Sequence, residues 1–194
     1  MKNPLSAAIP KLGESAAETR AAGAAELFRA GCELAETVVR KWRSDPDLAL
    51  LLGGDEPKIT VGVAVAQETF ARIRAANGSP LLARVPPELD VAEFELHFSG
   101  GVSLDILTTT QDGGPGAIAR YLTKFGEGIQ QVEYRAADVD LATRIVSERF
   151  GVPPIYAETR PGADGTRVNF FLASASSGAK VLIEFYERKE PREP

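Results

Sequence analysis

Apolar positions recur at helical spacing along the first part of the chain. Ala24, Leu27, Gly31, Leu34, Ala35, Val38 and Trp42 fall on one stripe, while Glu26, Arg29, Glu33, Glu36, Arg40 and Arg43 fall opposite. The spacing predicts one long amphipathic helix. Ser15 followed by Glu18 fits a capping box at its start. Asp45-Pro46 then offers an N-cap and a first-turn proline for a short second helix over Leu48–Leu52, closed by Gly53-Gly54. A stripe of this kind must dock. It reads as a packing arm that covers the main domain or the mate in a homodimer, with a functional lid as the other reading.

After Pro57 the pattern changes to short strands separated by helices. Ile59 to Val65 reads as a strand, Gln67 to Asn77 as a helix through Phe70, Ile73 and Arg74, and Gly78 as its stop. Strands follow at Ala92–Phe98 and Val102–Leu107, the run Gly113-Gly114-Pro115-Gly116 breaks the chain, and Ala117–Phe125 is a helix. The order then begins again. Ile129–Arg135 is a strand, Asp138 caps a helix that reaches Phe150 and stops at Gly151, and strands follow near Arg167–Leu172 and Lys180–Tyr186. This is an internal repeat of βαβββ type, in which Thr60 lies over Gln131 and Asp105 over Glu184. The expected organisation is α+β: a helical extension over 1–58, a two-module domain over 59–187 (modules 59–112 and 127–187), and a charged tail over 188–194.

Composition narrows the chemistry. The 194 residues carry 22 basic and 27 acidic side chains, net −5, without the clustered Lys and Arg that a phosphate backbone demands, so nucleic acid is excluded as a partner. Cys32 is the only cysteine and His97 the only histidine. An intrachain disulfide, a two-histidine zinc site and an HExxH motif are therefore ruled out. No apolar run approaches the roughly 18 to 20 residues of a membrane span, and no signal sequence follows the N-terminal Met-Lys-Asn-Pro, so a cytoplasmic protein without membrane contact is expected. The glycine-rich segments 113–116 and 162–165 lack the Gly-Lys-Ser/Thr of a phosphate loop and read as turns. His97 alternates with Glu93 and Glu95 on the polar side of its strand, a position more typical of surface than of a metal ligand.

Several segments resemble the methylmalonyl-CoA epimerases of the vicinal oxygen chelate (glyoxalase and bleomycin-resistance) superfamily. They are Gly114-Pro-Gly-Ala-Ile-Ala-Arg-Tyr-Leu-Thr-Lys-Phe-Gly-Glu-Gly-Ile-Gln-Gln-Val-Glu-Tyr-Arg-Ala-Ala-Asp-Val-Asp, Arg160-Pro-Gly-Ala-Asp-Gly-Thr-Arg-Val-Asn-Phe and Gly178-Ala-Lys-Val-Leu-Ile-Glu-Phe. The likeness spans about 59–187, is strong from 114 onward, and leaves out the helical extension. It implies two βαβββ modules whose sheets enclose one cavity. Strand parity fits such a cavity: Thr60, Gly62 and Ala64 share one face, with Val61, Val63 and Val65 on the other, and Gln131 goes with Glu133 and Arg135.

The resemblance also implies a site. The family's metal ligands on the first and last strands of each module correspond to Thr60, Asp105, Gln131 and Glu184, where Thr60 and Gln131 stand in for two histidines and Glu184 is unchanged. An all-oxygen set does not suit a transition metal, so no metal cofactor is expected; a hard divalent cation, if one is held, would take Asp105, Gln131 and Glu184. The epimerases move a proton α to a thioester carbonyl between two carboxylates. Glu184 matches one, and Glu88, in Val85-Pro-Pro-Glu-Leu-Asp-Val, matches the other, with Leu89-Asp90 where the family has Gln/His-Gly. Thr60, Gln131 and Arg135 would hold the enolate, alongside Asp105 in binding the substrate. The family's His-Pro-Lys turn is replaced by Ala173-Ser-Ala-Ser-Ser, so the substrate is read broadly, as a small carbonyl or acyl-CoA compound. The competing reading is a binding protein that sequesters a small, antibiotic-type molecule in the same cavity without catalysis.

Overall fold

The structure is a computed structural model that describes residues 7–174, 178 and 180–188. Of the charged tail, only Arg188 lies among them, and 175–177 of the serine-rich turn lie outside the described residues. The described chain falls into two compact units, 7–33 with 60–131 and 34–59 with 132–188.

The first unit contains α1 (Ala8–Lys11), the opening turns of α2 (Ala17–Trp42), β1 (Ile59–Ala64), α4 (Gln67–Ala76), β2 (Val91–Phe98), β3 (Val102–Thr109), α5 (Ala117–Phe125) and the start of β4 (Gly128–Arg135). Its strand order is β2-β3-β1, with β1 parallel and β2 antiparallel to β3. The expected stripe on α2 holds: Ala24, Leu27 and Gly31 are buried. Gly31 lets the helix backbone rest on the sheet, since a Cβ there would fall 2.6 Å from both methyls of Val61. Phe70 of α4 meets Phe94 of β2 edge to face at 4.8 Å. Val61 of β1 thus faces α2, and Val63, on the same face by strand parity, is buried with it.

Two expectations need correction here. The helix begins at Ala17, so the capping position falls on Ala16 and not on Ser15. The capping box does not form; the Ser15 carbonyl instead accepts from Arg20 Nη1 at 2.7 Å. In the first module the second strand of the βαβββ pattern, the one directly after the helix, is reduced to an extended stretch near Ala83, whose N–H donates to Glu93 O at 3.0 Å. Pro80, Pro86 and Pro87 flank it and remove the donors a regular ladder needs.

The second unit contains the end of α2, α3 (Pro46–Leu51), the rest of β4, α6 (Val139–Phe150), β5 (Arg160–Pro161), β6 (Arg167–Ser174) and β7 (Lys180–Glu187). Its strand order is β4-β7-β6-β5, with β4 and β7 parallel, so the βαβββ pattern is complete. Trp42 is buried against Phe171 and Phe185, with ring centroids 5.5 and 5.9 Å away and planes at 68° and 79°. Asp45 caps α3 as expected, accepting from Asp47 N and Leu48 N at 3.1 Å each. Arg149 at the end of α6 binds both Asp45 and Asp47, at 2.5 and 2.9 Å. Fully buried Asn169 stitches the 152–159 loop to β6: its Nδ2 donates to Tyr156 O at 3.0 Å, and its Oδ1 accepts from Tyr156 N at 3.3 Å. Among the described residues no helix is long and apolar enough to cross a membrane.

Candidate functional site

Most soluble strands bury apolar residues on one face and leave the other wet. This chain buries polar residues on the second face as well. In the first unit β1 and β3 pair with Gly62 opposite Asp105, and β2 pairs with β3 so that Glu95 is opposite Asp105 and His97 opposite Ser103. Residues opposite one another share a face. Thr60 and Asp105 are each only 6% exposed, and Gln131 at the end of the unit is 7% exposed. Burying hydroxyl, carboxylate and amide groups together is costly and marks a functional surface more often than a packing one.

Gly62 explains how Gln131 joins Asp105. A Cβ at Gly62 would lie 2.5 Å from Gln131 Cγ and 3.3 Å from Cδ, so the glutamine side chain occupies the space that the missing side chain leaves. Asp105 stands beside that glycine on β3. The sequence singled out Gln131 and Asp105; it gave Gly62 only a face, and the signal was the glycine itself within a β-branched strand.

His97 lies at the exposed end of this face, its Nδ1 2.7 Å from Ser103 Oγ and its Nε2 3.1 Å from Glu95 Oε2. Its side chain is 66% exposed, in keeping with a surface role. Glu88 is exposed on the turn Pro87–Leu89. The next residue, Asp90, adopts φ 54° and ψ 44°, the left-handed region natural to glycine, at the position where the resemblance has glycine.

In the second unit the parallel pair β4–β7 sets Glu133 opposite Glu184 and Arg135 opposite Tyr186. Both glutamates are 8% exposed, and Arg135 is half-buried. The antiparallel pair β6–β7 puts Phe170 on the other side of Glu184. Glu184 is therefore flanked across the sheet by one carboxylate and one aromatic ring. Glu133 as a neighbour of Glu184 is a feature that sequence reasoning missed, because it depends on which strands pair.

A separate open groove of about 540 Å³ lies on this unit between α6, the 154–159 loop and β6, and none of the sequence-predicted site residues lines it. There Arg167 binds Asp140 at 2.5 Å and Thr159 at 2.6 Å, which holds the Asp140 carboxyl below the usual range. Among the described residues, no group of three or more His, Cys, Asp or Glu side chains is placed to hold a metal ion.

Comparison with solved structures shows what this arrangement is similar to. The methylmalonyl-CoA epimerase of Mycobacterium tuberculosis shares 28% identity at a TM-score of 0.55, over 68% of this chain and 87% of that one. A variant of the Streptomyces coelicolor methylmalonyl-CoA epimerase in complex with 2-nitronate-propionyl-CoA shares 27% identity at 0.54, over 68% and 96%. A methylmalonyl-CoA epimerase in complex with methylmalonyl-CoA and NH4+ shares 25% at 0.54, over 70% and 96%. No protein-family model and no curated protein sequence matches the chain. The chain has the vicinal oxygen chelate fold, and its likeness to the epimerases extends from the sequence segments to the structure.

Proposed function

We propose that this protein is an isomerase of the epimerase type, which takes a proton from the carbon α to a carbonyl and returns it to the opposite face of a small carbonyl or acyl-CoA compound. The observation that carries the reading is Glu184: a buried carboxylate on the last strand, where the resemblance puts the epimerases' last-strand carboxylate, in a chain with their fold. Glu184 is opposite Glu133 on one side and Phe170 on the other, and a carboxylate so placed on the last strand is a group that can take a proton from the carbon α to a carbonyl.

Glu184 takes the α-proton and becomes a carboxylic acid, and the C–H electron pair moves into the enolate. Glu88, on its exposed turn, is the second carboxyl group, through which a proton from solvent returns to the opposite face of the carbon. The enolate oxygen is met by donors in place of a metal: the Thr60 hydroxyl, the Gln131 amide N–H and the Arg135 guanidinium. Preorganised donors of this kind are each worth about 3 kcal/mol in the transition state. Asp105, beside Gly62 and Gln131, lines the substrate's approach.

A transition metal does not fit this donor set. Hydroxyl, carboxylate and carboxamide oxygens favour hard cations, and the one imidazole of the chain is engaged with Glu95 and Ser103 at an exposed position. No step of the reaction is routed through a metal.

Deuterium wash-in from heavy water into methylmalonyl-CoA, followed by mass spectrometry, tests the reading. Incorporation by the wild type is expected, and in Glu184→Gln it is lost for the epimer whose α-proton Glu184 takes. Absence of exchange across a panel of acyl-CoA thioesters and small α-substituted ketones would overturn catalysis in favour of sequestration. Elemental analysis of the same protein is expected to find no stoichiometric cobalt, nickel, zinc or iron.

A further inference from the structure

The turn that carries Glu88 is rigid at both ends. On the entering side Pro86 and Pro87 fix the backbone, Pro86 at φ −52°. On the leaving side stands Asp90, in a left-handed conformation that an L side chain adopts only when its surroundings enforce it. Glycine would take that conformation without strain. What aspartate adds is a tether.

The Asp90 carboxylate reaches the segment that follows β3. Its Oδ2 accepts from Thr109 Oγ1 at 3.0 Å, its Oδ1 accepts from Thr110 Oγ1, and its backbone carbonyl accepts from Thr110 N at 3.4 Å. It then packs into space that two glycines leave open. A Cβ at Gly116 would fall 2.8 Å from Asp90 Oδ2, and one at Gly114 would fall 3.2 Å from it. Gly116 has an ordinary φ of −60°, so its contribution is room and not backbone freedom. The hydroxyls of Thr110 and Thr109 hold the Asp90 carboxyl below the usual range, which keeps it ionised and the tether intact. Glu88 is itself exposed, so its place is set by the ends of its turn and not by packing around it.

We infer that Asp90 is a positioning residue for Glu88: by anchoring the 87–91 turn to Thr109, Thr110 and the Gly113–Gly116 bend, it fixes where the Glu88 carboxylate is presented. The inference rests on the proton-transfer reading above and on the role of Glu88 in it. Because aspartate is kept in a conformation that costs it strain, the anchoring is what the position supplies.

The experiment measures deuterium wash-in separately on the (2R)- and (2S)-epimers of methylmalonyl-CoA, since two carboxylates on opposite faces each begin the reaction of one epimer. Glu88→Gln slows one epimer, and Asp90→Ala is expected to slow that same epimer about 10- to 100-fold, the scale of a misplaced catalytic group, while the other keeps its wild-type rate. Asp90→Asn tolerates the left-handed backbone and keeps an acceptor oxygen, so it is expected to restore most of the rate. Backbone amide exchange gives a readout independent of activity: protection over 89–91 and 111–116 is expected to fall together in Asp90→Ala and to stay unchanged in Glu88→Gln. Equal slowing of both epimers in Asp90→Ala, or unchanged protection of both segments, would overturn the positioning role while the wild-type rate stands. A wild type silent on both epimers and across the panel of acyl-CoA thioesters and α-substituted ketones would overturn the proton-transfer reading, and the positioning role with it.

Discussion

Glu133 and Glu184 are opposite one another on the parallel strands β4 and β7, and both are buried. Like charges directly opposite in a sheet disfavour its pairing, so this pair is a place where activity and packing can be separated by substitution. In the first unit the equivalent of Glu133 is Gly62, opposite Asp105. The two halves share a strand pattern and differ in what stands beside the carboxylate: room for the Gln131 side chain in one, a second carboxylate in the other.

Charge removal at constant size separates activity from stability at this pair. In Glu184→Gln the wash-in of deuterium into the epimer that Glu184 deprotonates is expected to disappear while the thermal midpoint stays level or rises, because one of two adjacent carboxylates is gone. Thermal denaturation followed by circular dichroism beside the exchange assay checks both halves of the expectation. A midpoint that drops along with activity would assign Glu184 to the fold.

Gly62 makes a sharper test of the first unit. Its Cβ position is 2.5 Å from Gln131 Cγ, so Gly62→Ala must push the glutamine aside. The cost of such overpacking is about 1 to 3 kcal/mol, read from urea unfolding, and the displaced amide is expected to slow exchange as well. Gln131→Ala combined with Gly62→Ala is expected to recover the stability without the rate. Failure of that recovery would place the strain at Leu107 of β3, whose Cδ1 is 3.1 Å from the same Cβ position.

Much of this architecture is legible in the sequence, and the reasons differ by element. The helix over Ala117–Phe125 follows directly from the glycine-proline break before it and the glycine after it. Asp45-Pro46 announces α3, and the structure adds only the pair of amide bonds that the carboxylate accepts. By contrast, α1 (Ala8–Lys11) spans a single turn, too short for periodicity to register. Ser15 misleads because capping motifs are local, whereas the start of α2 is set by where its apolar stripe meets the sheet. Among site residues, the inward placing of Thr60, Asp105, Gln131 and Glu184 is what the resemblance implies, strand parity is compatible with it, and all four are buried. The partnership of Glu133 with Glu184 does not, since parity gives a face and only strand order gives a neighbour.

Trp42 provides a check on the helical extension. It is the only tryptophan, is 2% exposed, and lies edge-on to Phe171 and Phe185. Trp42→Ala is expected to cost about 3 to 5 kcal/mol in urea unfolding, from lost burial and an unfilled cavity. A value under about 1 kcal/mol, typical of a surface position, would mean that this end of α2 is not a wall of the second unit's core.

The acid limb of stability follows from Asp140. The Arg167 guanidinium, first, and the Thr159 hydroxyl lower its carboxyl in the folded protein below its ordinary value of 3.8. Between the folded and unfolded values the unfolded chain binds more protons, so stability rises with pH across that window. The contribution is complete above about pH 4, the ordinary carboxylate value, and is lost as pH falls through the lower folded value. Asp140→Asn is expected to flatten the stability profile below pH 4 and to weaken its dependence on salt, since the ion pair with Arg167 is half-exposed and screened. Urea midpoints measured from pH 2 to pH 6 check the sign. An unchanged slope in Asp140→Asn would assign the acid sensitivity to other lowered carboxylates, of which Asp45, held by Arg149 and the Leu48 amide, is the first to substitute.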